Sequence, residues 1–351
     1  MNTEILDYIS IINGEKKIKF NTLFFEITNR CNLKCNHCYN LSGPHCKNDI
    51  PIEKFKNIVA AFIDHGVTKI LISGGEALLH SEFWDIIEFV IGQKLECGLL
   101  SNGLLLSYDV IDKLQHYNIN LQISLDGACE QTNDFIRGEG TYNIILNALE
   151  RIKRSGFSSK VSINTVITKY NFQEVVNIVE LANKYNISAI GFSFINNIGR
   201  ARENQFNISE EELYNTIKAI NTLSQKNNSN VKPINITKKC RFINNTYFLS
   251  PVVDAQGELF ICEFLREGIY SIGNLLEYSI DDLLEGEKFK QIMILINLRK
   301  YYIEECCECS IRYNCFAGCM AQVVKGNVFK PIYCDTNRKM LSLYLKGLIK
   351  N

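Results

Sequence analysis

Cys31, Cys35 and Cys38 lie in one short run, CNLKCNHCY, spaced C-x3-C-x2-C, directly after the strand-like stretch 22–27. Three thiolates on one compact loop can hold three irons of a 4Fe-4S cluster and leave the fourth iron open to a small molecule, because soft sulfur ligands suit iron. A structural zinc or iron loop is the other use of such a spacing. A second set follows at Cys306, Cys309, Cys315, Cys319 and Cys334, spaced C-x2-C-x5-C-x3-C with fourteen residues before the last. Upstream of it stand Cys240 and the pair Gly257-x4-Cys262. This set suits iron-sulfur clusters or zinc knuckles. The chain has 14 cysteines in 351 residues and no secretory pattern at its start, so metal ligation is a better reading than a disulfide framework. Cys46, Cys97, Cys129 and Cys307 fall outside both patterns and read as packed or plain thiols.

Polar residues gather at the ends of the other strand-like runs. Gly74-Gly75-Glu76 follows KILIS, Ser101-Asn102-Gly103 ends the next run, and Ser124-Leu125-Asp126-Gly127 the one after. Glycine lets a backbone approach a ligand closely, although Gly-Gly-Glu and Ser-Asn-Gly read equally well as turns. Arg137, in DFIRGEGTY, can pair with an anionic group or bridge its own loop. Asn164 and Thr165 lie on a fifth run, and Ile198 and Arg200 follow a sixth.

These residues need a frame that presents strand ends. Strands are expected over 22–27, 68–72, 96–100, 119–125, 161–167 and 188–194, and helices over 52–65, 81–92, 107–117, 141–155 and 171–185. Pro51 fits a first helical turn and Gly66 and Gly156 fit helix ends. A short hairpin with a turn at Asn13-Gly14 is expected before residue 20, and one helix near 209–224 in an Asn-rich stretch. Strands alternating with helices make a parallel α/β sheet whose C-terminal strand ends carry chemistry. That pattern alone fits a partial barrel and a doubly wound sheet equally. Net charge is zero, no apolar run reaches membrane-spanning length, and no signal peptide is evident. A cytoplasmic protein with no nucleic-acid or membrane partner is expected.

The cysteine loop, with Gly-Gly-Glu at the next strand end, resembles the radical S-adenosylmethionine (SAM) enzymes. The C-terminal set resembles the SPASM domain found in peptide-modifying members of that family. The resemblance covers about residues 20 to 335. It implies a partial (β/α)6 TIM-like barrel with a C-terminal cysteine-rich domain: an N-terminal segment 1–20, the barrel 21–200, a helical bridge 201–235, the SPASM domain 236–335 and a final helix 336–351. It also implies SAM and three 4Fe-4S clusters. Cys31, Cys35 and Cys38 would hold the catalytic one; Cys306, Cys309, Cys315 and Cys334 the distal auxiliary one; Cys240, Cys262 and Cys319 the nearer one. The nearer set lacks an obvious fourth ligand, since Thr237, Lys238 and Lys239 stand where some relatives carry a cysteine. Its fourth iron is open to substrate or to another side chain such as Cys307. The implied SAM pocket comprises Tyr39, Gly74, Gly75, Glu76, Ser101, Asn102, Ser124, Asp126, Arg137, Asn164 and Ile198. Ala77 replaces the family's usual proline, and no catalytic residue is assigned beyond the cluster.

The implied activity is maturation of a ribosomally made peptide by a 5′-deoxyadenosyl radical, with a thioether favoured and carbon–carbon or carbon–oxygen links possible. The alternatives are a sulfatase-maturing enzyme that makes formylglycine, small-molecule cofactor assembly, and a non-catalytic electron carrier. Implied partners are the peptide, a separate leader-binding protein, and a flavodoxin- or ferredoxin-type electron donor.

Overall fold

A computed structural model describes residues 18–226, 229–234, 248–266, 268–302 and 304–309, together with Cys334 and Arg338. The chain forms two compact units, one from 1–25, 50–69 and 235–351, the other from 26–49 and 70–234. The first described strands are β1 (Lys19–Phe20) and β2 (Thr22–Thr28), and the last residues of β2 enter the second unit.

The second unit continues with β3 (Lys69–Gly74), β4 (Glu96–Ser101), β5 (Asn120–Ser124), β6 (Val161–Ile167) and β7 (Ala189–Phe194), hydrogen-bonded in that order. The pairs β4–β5, β5–β6 and β6–β7 are parallel. Each strand lies within two residues of its expected bounds. Alternation explains the orientation: Val161, Ile163, Thr165 and Ile167 of β6 are buried, while Ser162, Asn164 and Val166 between them are half-buried. Register then sets Ser124, the last residue of β5, opposite Asn164, and Asn164 opposite Gly191, on one face of the sheet.

Helices cover the buried face. Phe83–Gly92 buries Phe83, Ile86, Ile87 and Val90, and Thr141–Ser155 buries Ile145, Ala148, Leu149 and Ile152, each at helical spacing. Ser107 caps the helix Tyr108–His116, and Gly156 ends Thr141–Ser155 in the left-handed conformation, with φ +75°. Ser209 and Glu212 form a capping box on Glu210–Ser224. Two further helices, Glu130–Arg137 and Arg200–Asn204, fall in stretches expected to be loops.

In the first unit β2 pairs in parallel with β9 (Val252–Val253), after β1 has paired with β8 (Phe248–Leu249). Strand β10 (Glu258–Phe260) pairs antiparallel with β9 and with β11 (Ser271–Asn274). Helix Ile52–Asp64 follows Pro51 and packs Phe55 on Phe25, ring centroids 4.7 Å apart, and Phe62 on Phe20, 5.1 Å apart. Helices Ile280–Glu285, Glu287–Tyr302 and Glu304–Cys307 follow β11. The N-terminal hairpin lies outside the described residues, as does all of 336–351 except Arg338. No helix among the described residues is long and apolar enough to cross a membrane.

Candidate functional site

The cysteine loop leaves β2 and is tied at its base. Thr28 bridges Asp49, and the Arg30 guanidinium grips the Asp49 carboxylate through Nε at 3.0 Å and Nη2 at 2.6 Å. Arg30 also donates to the Leu79 carbonyl. Higher up, the Cys31 amide donates to the Gly43 carbonyl at 3.3 Å and the Cys38 amide to the Cys35 carbonyl at 3.3 Å. Gly74 and Gly75 sit against this loop. A Cβ on Gly74 would lie 2.2 Å from the Thr28 carbonyl oxygen, and one on Gly75 2.3 Å from that of Arg30. The glycines thus let the end of β3 press onto the backbone that carries the cysteines.

From the same turn Glu76 enters the interior, 1% exposed. It accepts from the Ser101 hydroxyl at 3.0 Å, the Asn102 amide at 2.8 Å and the Leu78 amide at 3.4 Å. Burial pushes its carboxyl up to about 7, against those hydrogen bonds, which lower it. Asn102 also reaches the loop, donating through Nδ2 to Asn32 Oδ1 at 2.8 Å and to Cys31 Sγ at 3.8 Å. The Leu33 amide donates to the same sulfur at 3.4 Å. Gly74, Gly75, Glu76, Ser101, Asn102 and Cys31 therefore form one contiguous group.

A second group lies by Cys35. Asp126, fully buried, accepts from the Val166 amide through Oδ1 at 2.8 Å. Its Oδ2 lies 2.8 Å from Arg137 Nε and 3.1 Å from His37 Nε2. Burial pushes the Asp126 carboxyl up, but Arg137 and His37 outweigh it and hold the group at about 2. Asn133 and Asn171 fix the backbone around it, Asn133 Oδ1 accepting from the Asp126 amide at 3.0 Å and Asn171 Nδ2 donating to the Asp126 carbonyl at 2.9 Å. Ser124 and Asn164 are register neighbours beyond this point, and Asn164 Nδ2 donates to Ser193 Oγ at 3.2 Å.

The segment after β7 closes over the loop. Arg200 donates from its amide to the Cys38 carbonyl at 3.1 Å, from Nε to the Cys35 carbonyl at 2.7 Å and from Nη2 to the Ser42 carbonyl at 2.8 Å. Gly199, with φ +54°, permits this, since a Cβ there would lie 2.3 Å from the Cys38 carbonyl oxygen. Ile198 lies beside it, half-buried. The Tyr39 hydroxyl donates to Glu26 Oε1 at 3.0 Å and Asn40 Nδ2 to Glu26 Oε2 at 3.1 Å, which places Tyr39 on a buried carboxylate of β2. Sequence reasoning assigned no site role to Glu26, Arg30, His37 or Asp49. A lone carboxylate inside the apolar run TLFFEI, and a histidine between two cysteines, were the available signals.

Residues 25–182 match the model of the radical SAM superfamily, and residues 240–310 that of SPASM, an iron-sulfur cluster-binding domain. The chain carries a radical SAM domain and a SPASM domain. Among its relatives, the mycofactocin maturase MftC of Mycolicibacterium smegmatis is 30% identical over 164 residues, 46% of this chain and 42% of that protein. The antilisterial bacteriocin subtilosin biosynthesis protein AlbA of Bacillus subtilis is 28% identical over 182 residues, 51% of this chain and 40% of that one. The match thus spans less than half the length of these curated relatives. Streptococcus suis SuiB, solved bound to S-adenosylmethionine, superposes with TM-score 0.74 at 16% identity, over 94% of this chain and 80% of that one. Bound to its precursor peptide SuiA it gives TM-score 0.75 at 16% identity, over 93% and 78%. The fold is that of the radical SAM proteins.

A radical SAM domain implies SAM and a 4Fe-4S cluster, and the residues present fit both. Burial pushes the Cys31 thiol up to about 12 and raises Cys35 as well, so a bare thiolate is costly there and a bound iron would take the proton's place. Among the described residues no three His, Cys, Asp or Glu side chains gather around one point as for a single ion. A cluster sets each thiolate on its own iron, so convergence on a point is not required. A buried carboxylate, Glu76, and a buried guanidinium, Arg137, flank the loop, a charge pair suited to the ammonium and carboxylate of an amino acid.

The SPASM match implies further iron-sulfur sites in the first unit. Cys262 follows β10, and its sulfur accepts from the Phe264 amide at 3.5 Å. The Cys309 amide donates to the Cys306 carbonyl at 3.1 Å; Cys306 is buried, Cys309 and Cys334 are half-buried, and Cys307 is exposed. Cys240, Cys315 and Cys319 lie outside the described residues.

Proposed function

We propose that the chain is a radical SAM peptide maturase with three 4Fe-4S clusters. Cys31, Cys35 and Cys38 hold the catalytic cluster. Glu76 receives the SAM ammonium and Arg137 its carboxylate. Ser124, Asn164 and Ile198 line the nucleoside side. When bound, the cluster and SAM would supply the one-electron chemistry that removes a hydrogen atom from a substrate carbon. The protein's own work is orientation and exclusion of water. Ser101 and Asn102 fix Glu76, Asp126 and His37 fix Arg137, and Arg200 fixes the cysteine loop. The observation that carries the reading is the single buried group joining Glu76, Ser101 and Asn102 to the Cys31 sulfur.

The substrate is a ribosomally made peptide and the product an oxidative cross-link, a thioether by preference. Support comes from the kinship with a bacteriocin biosynthesis protein and a maturase, both names belonging to those relatives. An open iron at the nearer auxiliary cluster, held by Cys240, Cys262 and Cys319, would take a peptide thiolate. In the formylglycine reading Asp126 would act as a base. That role is disfavoured, because Asp126 is buried and both its oxygens have protein partners.

Anaerobic reconstitution tests the cluster assignment. Iron is expected to fall from about twelve atoms per chain to about eight when Cys31, Cys35 and Cys38 are replaced by alanine. Dithionite-reduced parent should yield 5′-deoxyadenosine from SAM and the variant none. Co-expression with the short peptides encoded beside its gene should give a peptide lacking two hydrogen atoms; formylglycine in a sulfatase peptide instead would displace this reading.

A further inference from the structure

Outside the pocket, the second unit carries an aromatic pair on its surface. Phe135, in helix Glu130–Arg137, is 50% exposed, and Tyr170, just after β6, is 39% exposed. Their ring centroids lie 4.6 Å apart. Both rest on Phe206, which is buried, with centroids 6.3 Å from Phe135 and 5.1 Å from Tyr170. Phe206 in turn lies 6.2 Å from the His37 ring, between Cys35 and Cys38. Isolated exposed hydrophobics need no explanation, but a tilted aromatic pair backed by a buried ring is a contiguous apolar platform.

The platform is joined to the cysteine loop through the backbone. Asn36 donates from its amide to the Ile136 carbonyl at 2.8 Å and from Nδ2 to the Phe135 carbonyl at 2.7 Å. Asn204 Nδ2 donates to the Asn36 carbonyl at 2.8 Å. One residue, Asn36, therefore separates the Phe135 backbone from Cys35. Two exposed cations accompany the platform and the loop. Lys169 is exposed, with its ammonium 5.1 Å over the Tyr170 ring, and Lys34 is exposed next to Cys35. Of the two carboxylates on this helix, Asp134 is engaged by the Gly140 and Tyr142 amides, and Glu130 accepts from Asn143 Nδ2 at 3.0 Å.

We infer that Phe135 and Tyr170, with Lys169 and Lys34, form the docking surface for an acidic one-electron carrier protein. The inference rests on the proposed function, which needs an electron delivered to the Cys31, Cys35 and Cys38 cluster. Tunnelling weakens steeply with distance, so the carrier must seat where its redox centre comes near that loop. Aromatic anchors give such a contact affinity, and flanking cations steer an acidic partner and set the salt dependence of its arrival. The exchange is one electron: the carrier is oxidised and the cluster reduced, with no bond made or broken.

The test follows cluster reduction by rapid mixing and by the paramagnetic resonance of the reduced cluster, using flavodoxin hydroquinone as the probe and dithionite as the control reductant. The variants are Phe135→Ser with Tyr170→Ser, and separately Lys169→Glu. Reduction by flavodoxin is expected to slow on the order of tenfold in each, and to lose part of its salt dependence in Lys169→Glu. Reduction by dithionite is expected to match the parent. Equal flavodoxin rates in parent and variants overturn the docking surface, as does a parallel fall with dithionite, which assigns the residues a structural role. A parent whose cluster is reduced but leaves SAM intact refutes the proposed function instead, and the comparison of reduction rates still decides the docking surface.

Discussion

Glu76→Gln isolates the energetic cost of the buried carboxylate. In the folded chain burial moves this group from the ordinary 4.5 to about 7. The difference is roughly 2.5 pKa units, or about 3 kcal/mol at 1.36 kcal/mol per unit. For an acid with a raised folded value the sign is a loss of stability as pH rises. Between 4.5 and 7 the unfolded chain has released the proton and the folded chain still holds it. This group's cost is therefore absent below about 4.5 and complete above about 7. Glutamine carries no such dependence; its effect on the Ser101 and Asn102 hydrogen bonds is the same at every pH. Trp84 is the chain's single tryptophan and lies in the same unit, so its fluorescence reports the unfolding of that unit. Anaerobic urea titrations of metal-free parent and variant, under a reductant, should converge or cross as pH rises from 4.5 to 8. The relative gain of the variant should be about 3 kcal/mol. Stability curves that stay parallel across this range refute the argument that Glu76 is buried at an electrostatic cost. In the SAM-bound protein, where an ammonium would face Glu76, the gain should shrink.

Asp126→Asn leaves Arg137 and His37 without their buried anion, and urea unfolding should show a loss of about 3–5 kcal/mol at neutral pH. The parent's share of that stability is present above pH 3.8 and lost as the pH falls toward about 2, so the two proteins should converge in acid. Gly199→Ala sets a Cβ 2.3 Å from the Cys38 carbonyl oxygen at φ +54°, and iron bound on reconstitution should drop by about the four atoms of one cluster. Gly92→Ala is the matching control: nothing lies within 4 Å of its Cβ, and it should stabilise the helix by about 0.5–1 kcal/mol without changing iron content. Arg200→Lys keeps the charge but loses the fork that reaches both the Cys35 and Ser42 carbonyls, so cluster loading should be slower and the loaded cluster more readily lost to a chelator.

The sheet was legible because its strands advertise themselves. KILIS, VSINTVI and AIGFSF carry β-branched and aromatic residues on the face covered by helices, and Gly-, Asn- or Ser-rich segments punctuate them. Helix Glu130–Arg137 was not legible, since its buried positions are Asn133, Ile136 and Arg137, and two polar members hide the helical stripe. Their burial is explained by polar partners, Asp126 and Thr141, which a pattern of apolar spacing does not register. The same limit applies to the site. The cysteines and Glu76 stand out by spacing, whereas Arg30 and Asp49 act by closing a loop, and His37 by reaching a strand end 89 positions away. Gly74-Gly75 was read as a place where the backbone comes close to a ligand. What they approach here is the chain's own backbone at Thr28 and Arg30.

The tie between Thr28, Arg30 and Asp49 bears on how the iron arrives. Twenty residues, from Asn29 to Asn48, leave the sheet and return to the spot they left. Bringing the ends of such an excursion together costs roughly 2.7 kcal/mol of chain entropy, taken as three-halves RT ln n. Here that cost is met by a bidentate ion pair and a short ladder before any metal is present. The loop that carries the three sulfurs is consequently closed at its base by the chain's own contacts, so a prefabricated cluster can be handed over whole, without waiting for that closure. Weakening the tie, for instance with Asp49→Asn, would turn a transfer step into a folding step. The rate of cluster delivery from a scaffold protein would then depend on temperature as folding does, with a maximum, and would no longer rise steadily.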